Sequence, residues 1–215
     1  MAGKPYNPLD KQNLGDSVAK ALLERPVVRL TDLTNFKGAG IYAIYYSGSF
    51  VAYRPIVVPS PKQATTPIYV GKAVPAGARK GGFGLDTDPG TVLCGRLREH
   101  ADSISAADNL DVADFSCCYL VTDDIWIPLA ESVLIEVFRP VWNKLIDGFG
   151  NHDPGKGRLQ QQRSPWDSLH PGRAWAKRLQ PNPKSQEQLL ALVKDFFAGK
   201  KVPEIPTEKA VTEGE

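Results

Sequence analysis

Cysteine is scarce in this chain, and its few copies do not suggest pairing. The 215 residues include three cysteines, Cys94, Cys117 and Cys118. An odd number, with neither CxxC nor Cys/His ligand spacing, argues against a disulfide framework and against a structural zinc site. We interpret all three as small buried hydrophobic residues, because unpaired cysteine is among the residue types most often found in protein interiors.

Long apolar runs and an excess of one charge are also missing. No apolar stretch approaches the ~20 residues of a membrane-spanning helix, and the first ten residues lack the apolar segment of a signal peptide. We therefore expect a soluble, cytoplasmic protein with no membrane partner. The formal net charge is only +2, which neither requires nor excludes nucleic acid, so the distribution of charge matters more than its total.

Short strands and amphipathic helices are what the chain does contain. The runs GIYAIYY, PIYVGKAV and DFSCCYLVT are rich in β-branched and aromatic residues and predict three strands. Apolar residues at helical spacing predict four helices, at 14–25, 91–104, 127–139 and 185–198. Thr91 could cap the second helix and Pro140 would stop the third.

This order of elements predicts an α/β (α+β) fold. We expect a small mixed or antiparallel three-stranded sheet flanked by helices, with N- and C-terminal helical and loop additions. The predicted divisions are an N-terminal helical arm, a core, a basic loop region with the C-terminal helix, and a disordered tail, at 1–35, 36–147, 148–200 and 201–215. No P-loop and no GxGxxG motif follows a strand.

Two polar residues of the second predicted helix lie one turn apart. Arg96 and His100 share a face that we place beside the apolar stripe. A cation and an imidazole at this spacing could hold a phosphate and assist a proton transfer. A solvated surface helix of mixed charge would show the same pattern.

Glu131 stands out on the third predicted helix. Its neighbours three and four residues away are apolar, among them Ile127, Leu134 and Ile135. A carboxylate in such surroundings is costly unless a positive charge compensates it. A metal ion such as Mg²⁺ would do so, although a glutamate that reaches water from the edge of the core would look the same.

Together these residues resemble the GIY-YIG nuclease family. Gly40-Ile41-Tyr42 and Tyr69-Val70-Gly71 match its two strand motifs, with valine in place of isoleucine in the second. The residues that match its site follow in the family's order on elements of the same type: Tyr42, Tyr69, Arg96, His100, Glu131 and Asn143. The segments RLREH, RPVWN, DGFGNHDPGKGR and HPGRAWA extend the resemblance to the Type II restriction enzymes of this family that cut CCGCGG, over residues 36–177.

The resemblance implies metal-dependent hydrolysis of DNA. Tyr42 would be the general base or would orient the water, with help from His100 or the metal, and Tyr69 would position water or phosphate. Arg96 would hold the phosphoryl oxygens. Glu131 would be the only protein ligand of one Mg²⁺, for which Mn²⁺ could substitute, and Asn143 would hold a neighbouring group in place.

DNA binding requires positive surface. Residues 144–178 carry seven basic and three acidic side chains, and a Gly-rich loop adds a second basic patch. The predicted DNA contacts are Lys72, Arg79, Lys80, His152, Lys156 and Arg158. A palindromic target cut on both strands implies a homodimer on double-stranded DNA.

Other functions remain open on the sequence alone. A homing or repair nuclease of the same family would cut a long asymmetric site or damaged DNA, but such enzymes usually carry a separate DNA-binding domain. A DNA-binding protein without catalysis would bind and not nick. A module that uses its basic segment to bind an acidic protein is a third alternative.

Overall fold

A four-stranded antiparallel sheet lies at the centre of the computed structural model, which describes residues 7–57, 66–74, 88–158, 160–207 and 209. Its strands are β1 (Val28–Arg29), β2 (Gly40–Tyr46), β3 (Tyr69–Ala73) and β4 (Phe115–Val121). They lie in the order β1-β4-β2-β3, so that β3 forms one edge.

The sheet has one more strand than predicted. β1 consists of two residues that pair with Cys117 and Ser116 of β4. A segment this short has no alternation that a sequence pattern could reveal. The three longer strands are confirmed, and the prediction of a three-stranded sheet was one strand short.

Six helices surround the sheet within the described residues. They are α1 (Lys11–Leu23), α2 (Val92–Ser105), α3 (Ile127–Phe138), α4 (Val141–Lys144), α5 (Pro165–Leu169) and α6 (Gln186–Phe197). α1 begins three residues before the predicted start because the Asp10 side chain caps it. Thr91 does occupy the N-cap position of α2, but its side chain makes no capping hydrogen bond.

Both faces of the sheet are covered, which explains why all seven residues of β2 are buried. Tyr42, Ile44 and Tyr46 belong to a core that includes residues of α2, α4, α5 and α6. The alternate residues Ile41, Ala43 and Tyr45 belong to a second core with residues of α1 and α3. The two-residue period of a strand therefore assigns each side chain of β2 to one of two different helical layers.

The terminal additions pack onto this core. A Cβ at Gly15 of α1 would lie 2.5 Å from a methyl group of Val133 on α3, so the N-terminal helix is in close contact with the rest of the fold. Residues 201–207, part of the tail that we predicted to be disordered, include two residues that contact Lys144. The Ile205 amide donates to the carbonyl of Lys144 at 2.7 Å, and Thr207 accepts from Lys144 Nζ at 2.6 Å.

Two smaller predictions concern cysteine and membranes. All three cysteines are free and buried, as predicted. No helix in the described part of the chain is long and apolar enough to cross a membrane.

Candidate active site

Close packing requires glycine at two strand positions, and one of these glycines makes room for the centre of the site. Gly71 of β3 pairs with Tyr42 of β2, and a Cβ at Gly71 would lie 2.4 Å from Tyr42 Oη and 2.9 Å from Tyr69 Cε1. Only a residue without a side chain allows both phenols to occupy this face of the sheet. Gly40 has a different role, because a Cβ there would lie 1.9 Å from the carbonyl oxygen of Leu120 on the neighbouring strand.

His100 lies against the two tyrosines. Its Nε2 is 2.5 Å from Tyr42 Oη, and its ring stacks on Phe149 with centroids 4.4 Å apart and planes within 16°. The Tyr69 ring meets it edge-on at 5.2 Å. His100 is only 1% exposed, so our prediction that its helix face lies beside the apolar core is wrong. The tyrosines and Phe149 bury that face.

The location of the proton between Tyr42 and His100 follows from burial. Removal from water raises the pKa of Tyr42 well above its usual value of 10, and Tyr69 adds to this while Arg96 opposes it. Burial lowers the pKa of His100 well below 6.5, and Arg96 adds to this. Both shifts favour neutral groups, so the phenol keeps its proton and donates it to Nε2 of a neutral imidazole.

Arg96 is held at the mouth of the site. Its Nη1 donates to Glu99 Oε2 at 3.1 Å and lies 2.5 Å from His152 Nε2. Its Nη2 donates to the carbonyl of Gly150 at 3.1 Å. Because a guanidinium has no acceptor, His152 accepts through Nε2 in this contact. The Arg96 side chain is 10% exposed, so its charge remains within reach of a ligand.

Glu131 lies on α3, which packs on the face of the sheet opposite the two tyrosines. The carboxylate is buried, and its Oε2 is 3.3 Å from Nζ of Lys72 on the edge strand β3. Burial is the main cause that raises the pKa of Tyr42 and of Tyr69, and the charge of Glu131 adds to it in both cases. Lys72 was predicted to contact DNA. It instead lies in the interior and compensates Glu131.

The donor that Glu131 could offer a metal is a single carboxylate, an oxygen ligand of the kind that hard divalent cations accept. No group of three His, Cys, Asp or Glu side chains converges among the described residues. A metal at Glu131 would have one carboxylate from the chain and would take its other ligands from water and phosphate. That ligand set is typical of Mg²⁺, which keeps several waters and binds few carboxylates.

Asn143 holds the edge strand β3. Its Oδ1 accepts from the amide of Val70 and its Nδ2 donates to the carbonyl of the same residue, both at 2.8 Å. These backbone groups point away from β2 and would otherwise be unsatisfied at the sheet edge. Asn143 thus positions the strand that carries Tyr69, Gly71 and Lys72, with both ends of its amide engaged.

The predicted DNA contacts fall in three groups. Lys72 is buried, and Arg79 and Lys80 lie outside the described residues. Lys156 and Arg158 belong to a 3-10 turn, of which the Lys156 side chain lies outside the described part. His152 and Arg158 line a polar cleft of about 340 Å³ that also includes Gln161 and Gln162.

The excess of basic residues at 144–178 overstates the positive surface. Lys144 and Arg173 are 6% and 4% exposed, and Arg178 forms an ion pair with Asp153 at 2.5 Å. Counting charges along the chain could not separate these buried or paired groups from free ones. Phe149 lies in the segment DGFGNHDPGKGR, but it was not predicted to be part of the site, although its ring covers His100.

The candidate site therefore contains two tyrosines on adjacent antiparallel strands, a helical arginine and histidine, and a buried glutamate near the same sheet edge. A family model described as the Eco29kI GIY-YIG domain matches residues 34–197. The chain belongs to this family and is a restriction-type nuclease, with DNA as its partner. No curated protein matches the chain.

Proposed function

We propose that the protein is a Type II restriction endonuclease that uses one Mg²⁺ per active site to hydrolyse DNA at the palindrome CCGCGG, as a homodimer. The observation that carries this proposal is the 2.5 Å contact between Tyr42 and His100 beside Gly71. A phenol and a neutral imidazole in direct contact provide a path for the proton of the attacking water. Arg96 lies beside them, where a phosphate would bind.

The proton path runs from water to Tyr42 and from Tyr42 to His100. Because burial disfavours both the phenolate and the imidazolium, we infer that Tyr42 gives its proton to Nε2 as it receives one from the water. A phenolate then never accumulates. The phosphodiester anion would stabilise the imidazolium, which offsets part of the cost of protonating a buried histidine.

Arg96 would stabilise charge on the phosphoryl oxygens. Phosphoryl transfer depends mainly on positioning and on stabilising negative charge. The guanidinium is held from behind by Gly150 and from the side by Glu99 and His152. A phosphate could exchange with His152, which is 59% exposed and the more easily moved partner.

Glu131 would hold the cation. Bound Mg²⁺ would stabilise charge on the phosphate and on the leaving oxygen, and Mn²⁺ could substitute for it. Lys72 Nζ, 3.3 Å from Glu131 Oε2, compensates the charge of the carboxylate and holds it in place. Asn143 and Tyr69 complete the site by holding β3 and by positioning water or phosphate.

DNA would cross the cleft beside Arg96. His152 lines this cleft and contacts Arg96, and Arg158, Gln161 and Gln162 present donors and acceptors that suit base edges or phosphates. Lys156, Arg79 and Lys80 are proposed to add phosphate contacts. A palindrome read by one site per chain requires two chains, and sedimentation that finds a single chain per cleaved duplex would exclude the dimer.

The test is cleavage of a plasmid that contains one CCGCGG site, with Mg²⁺, with Mn²⁺ and with EDTA. The wild type should linearise it at that site with either metal and leave it intact in EDTA. Glu131→Gln should abolish cleavage. Glu136→Gln is the matched control, because Glu136 lies on the same helix but is 71% exposed, and it should cut normally.

Each other outcome has a definite meaning. Linearisation at another sequence would support the nuclease assignment and exclude CCGCGG as the target. DNA binding without cleavage under any condition would indicate a binding protein on a nuclease fold. Cleavage by Tyr42→Phe at the wild-type rate would exclude the proton path. Tyr69→Phe should retain part of the activity, because Tyr69 is not a member of the proposed proton path.

A further inference from the structure

Arg173 is a buried arginine whose guanidinium is held by two tryptophan rings and one aspartate. It is 4% exposed, and its guanidinium lies between the rings of Trp166 and Trp175, 4.5 and 4.7 Å from their centroids. Its Nε and Nη2 donate to the two oxygens of Asp167 at 2.7 and 2.8 Å. Such bidentate pairs fix the plane of the guanidinium.

The remaining donors of Arg173 all bind one loop. Nη1 donates to the carbonyls of Phe149 and Asn151 at 3.1 and 3.0 Å, and Nη2 donates to that of Gly148 at 2.7 Å. With the two bonds to Asp167, all five N–H groups of the side chain are used. Lysine, a point charge with three donors, could not reproduce this arrangement.

The same loop holds the catalytic helix α2 from its other side. The Phe149 ring stacks on His100. The carbonyl of Gly150, which Arg173 does not bind, accepts from Arg96. His152 also accepts from Arg96. Residues 148–152 therefore connect Arg173 on one side with Arg96 and His100 on the other.

The segment that carries Arg173 is itself fixed against the end of α2. A Cβ at Gly172 would lie 1.8 Å from the carbonyl oxygen of Ala106, and the amide of Asp108 donates to the carbonyl of Pro171 at 2.7 Å. The segment of Arg173 and the helix of the catalytic side chains thus contact each other directly, and the loop 148–152 is bonded to both.

We propose that Arg173 is a positioning residue for DNA cleavage: through the loop 148–152 it sets the orientation of Arg96 and His100, and it does not contact DNA. This inference rests on the proposed function, since it concerns the rate of the same reaction. The positive charge of Arg173, which in the sequence suggests a DNA contact, is neutralised by Asp167 in the interior.

The experiment measures single-turnover cleavage and DNA affinity of the full chain, on a duplex that the wild type cuts. Arg173→Lys should lower the cleavage rate constant by about 10- to 100-fold, because displacing catalytic groups by about 1 Å costs rate on this scale. The dissociation constant should stay within about 3-fold, and the slope of its logarithm against log salt should not change. Arg158→Ala should show the opposite signature, with weaker binding and a slope reduced by about 1.

A double-mutant cycle separates positioning from general loss of structure. Because Arg173 is proposed to act through both Arg96 and His100, one cycle combines Arg173→Lys with Arg96→Lys and a second combines it with His100→Gln. In each cycle the combined loss of rate should be clearly smaller than the product of the two single losses. Asn109→Ala is the structural control. It removes hydrogen bonds to His170 and to the Leu169 carbonyl, away from the loop. It should lower the melting temperature without lowering the rate.

Three results would overturn the inference while leaving the nuclease intact. They are multiplicative effects in both cycles, a weaker affinity with a shallower salt slope, and an unchanged rate in a folded Arg173→Lys. If that variant is unfolded at the assay temperature, Asp167→Asn, which keeps an acceptor for Arg173, carries the same test and should show an intermediate loss of rate. Absence of cleavage by the wild type would refute the proposed function instead.

Discussion

Replacing Gly71 by alanine adds one methyl group at the centre of the site. Its Cβ would lie 2.4 Å from Tyr42 Oη and 2.9 Å from Tyr69 Cε1, whereas ordinary contact begins near 3.4 Å. The Tyr42 hydroxyl must therefore move by about 1 Å, which breaks its 2.5 Å contact with His100. We expect single-turnover cleavage to fall about 100-fold, and overpacking to cost about 1–3 kcal/mol of unfolding free energy.

The assay follows cleavage of a labelled duplex with enzyme in excess, so that product release does not affect the rate. DNA affinity should change little, because Gly71 lies beneath the phenols and not on the surface. Gly95→Ala is the matched control. Gly95 lies on α2 next to Arg96, and within the described residues no atom beyond its own stretch of helix lies within 4 Å of the position that the new methyl group would take. This variant should cut normally and gain about 0.5–1 kcal/mol in stability. A Gly71→Ala enzyme within about 3-fold of the wild-type rate would refute the reasoning, since a 1 Å displacement should cost far more.

Three further predictions concern stability. Asn143→Ala removes both hydrogen bonds to Val70 and should cost about 1–3 kcal/mol in urea unfolding, with a loss of cleavage; unchanged stability would contradict the role of Asn143 on β3. Burial lowers the pKa of His170 to about 3, below the unfolded value of about 6.5, so the unfolded state takes up the proton first. The stability that His170 contributes is therefore constant above about pH 6.5 and falls towards pH 3 by up to about 1.4 kcal/mol per pH unit; His170→Gln should show a shallower fall, and an identical curve would contradict this. Lys72→Met leaves the buried Glu131 carboxylate without its ammonium and should cost about 3–5 kcal/mol; adding Glu131→Gln should restore part of that loss, and additive losses would show that the pair is not coupled.

The longer elements of the fold could be predicted because their patterns are local. The aromatic and β-branched runs of β2, β3 and β4 specify strands, and Pro140 marks the end of α3 within two residues. β1 could not be predicted, since two residues carry no period and its pairing depends on Cys117 and Ser116, which lie far along the chain.

The candidate site was predicted as a set of residues but not as an arrangement. The family resemblance named Tyr42, Arg96, His100 and Glu131, and the structure brings the first three together. The family resemblance could not show that the Lys72 side chain lies against Glu131. A strand lysine beside Gly71 is expected to be exposed until α3 is known to cover that face of the sheet.

Sequence by itself determined the chemistry available to this protein: two strand glycines, each two residues from a tyrosine, one helical arginine with a histidine four residues later, and one carboxylate in an apolar helix. Only the tertiary structure decided which basic side chains are buried in ion pairs and which remain exposed to a ligand. Arg173 and Lys72 look like other basic residues in the chain, yet both are buried and paired with carboxylates. The physical reason is that the cost of a buried charge depends on partners brought together by folding, and those partners need not be near in sequence.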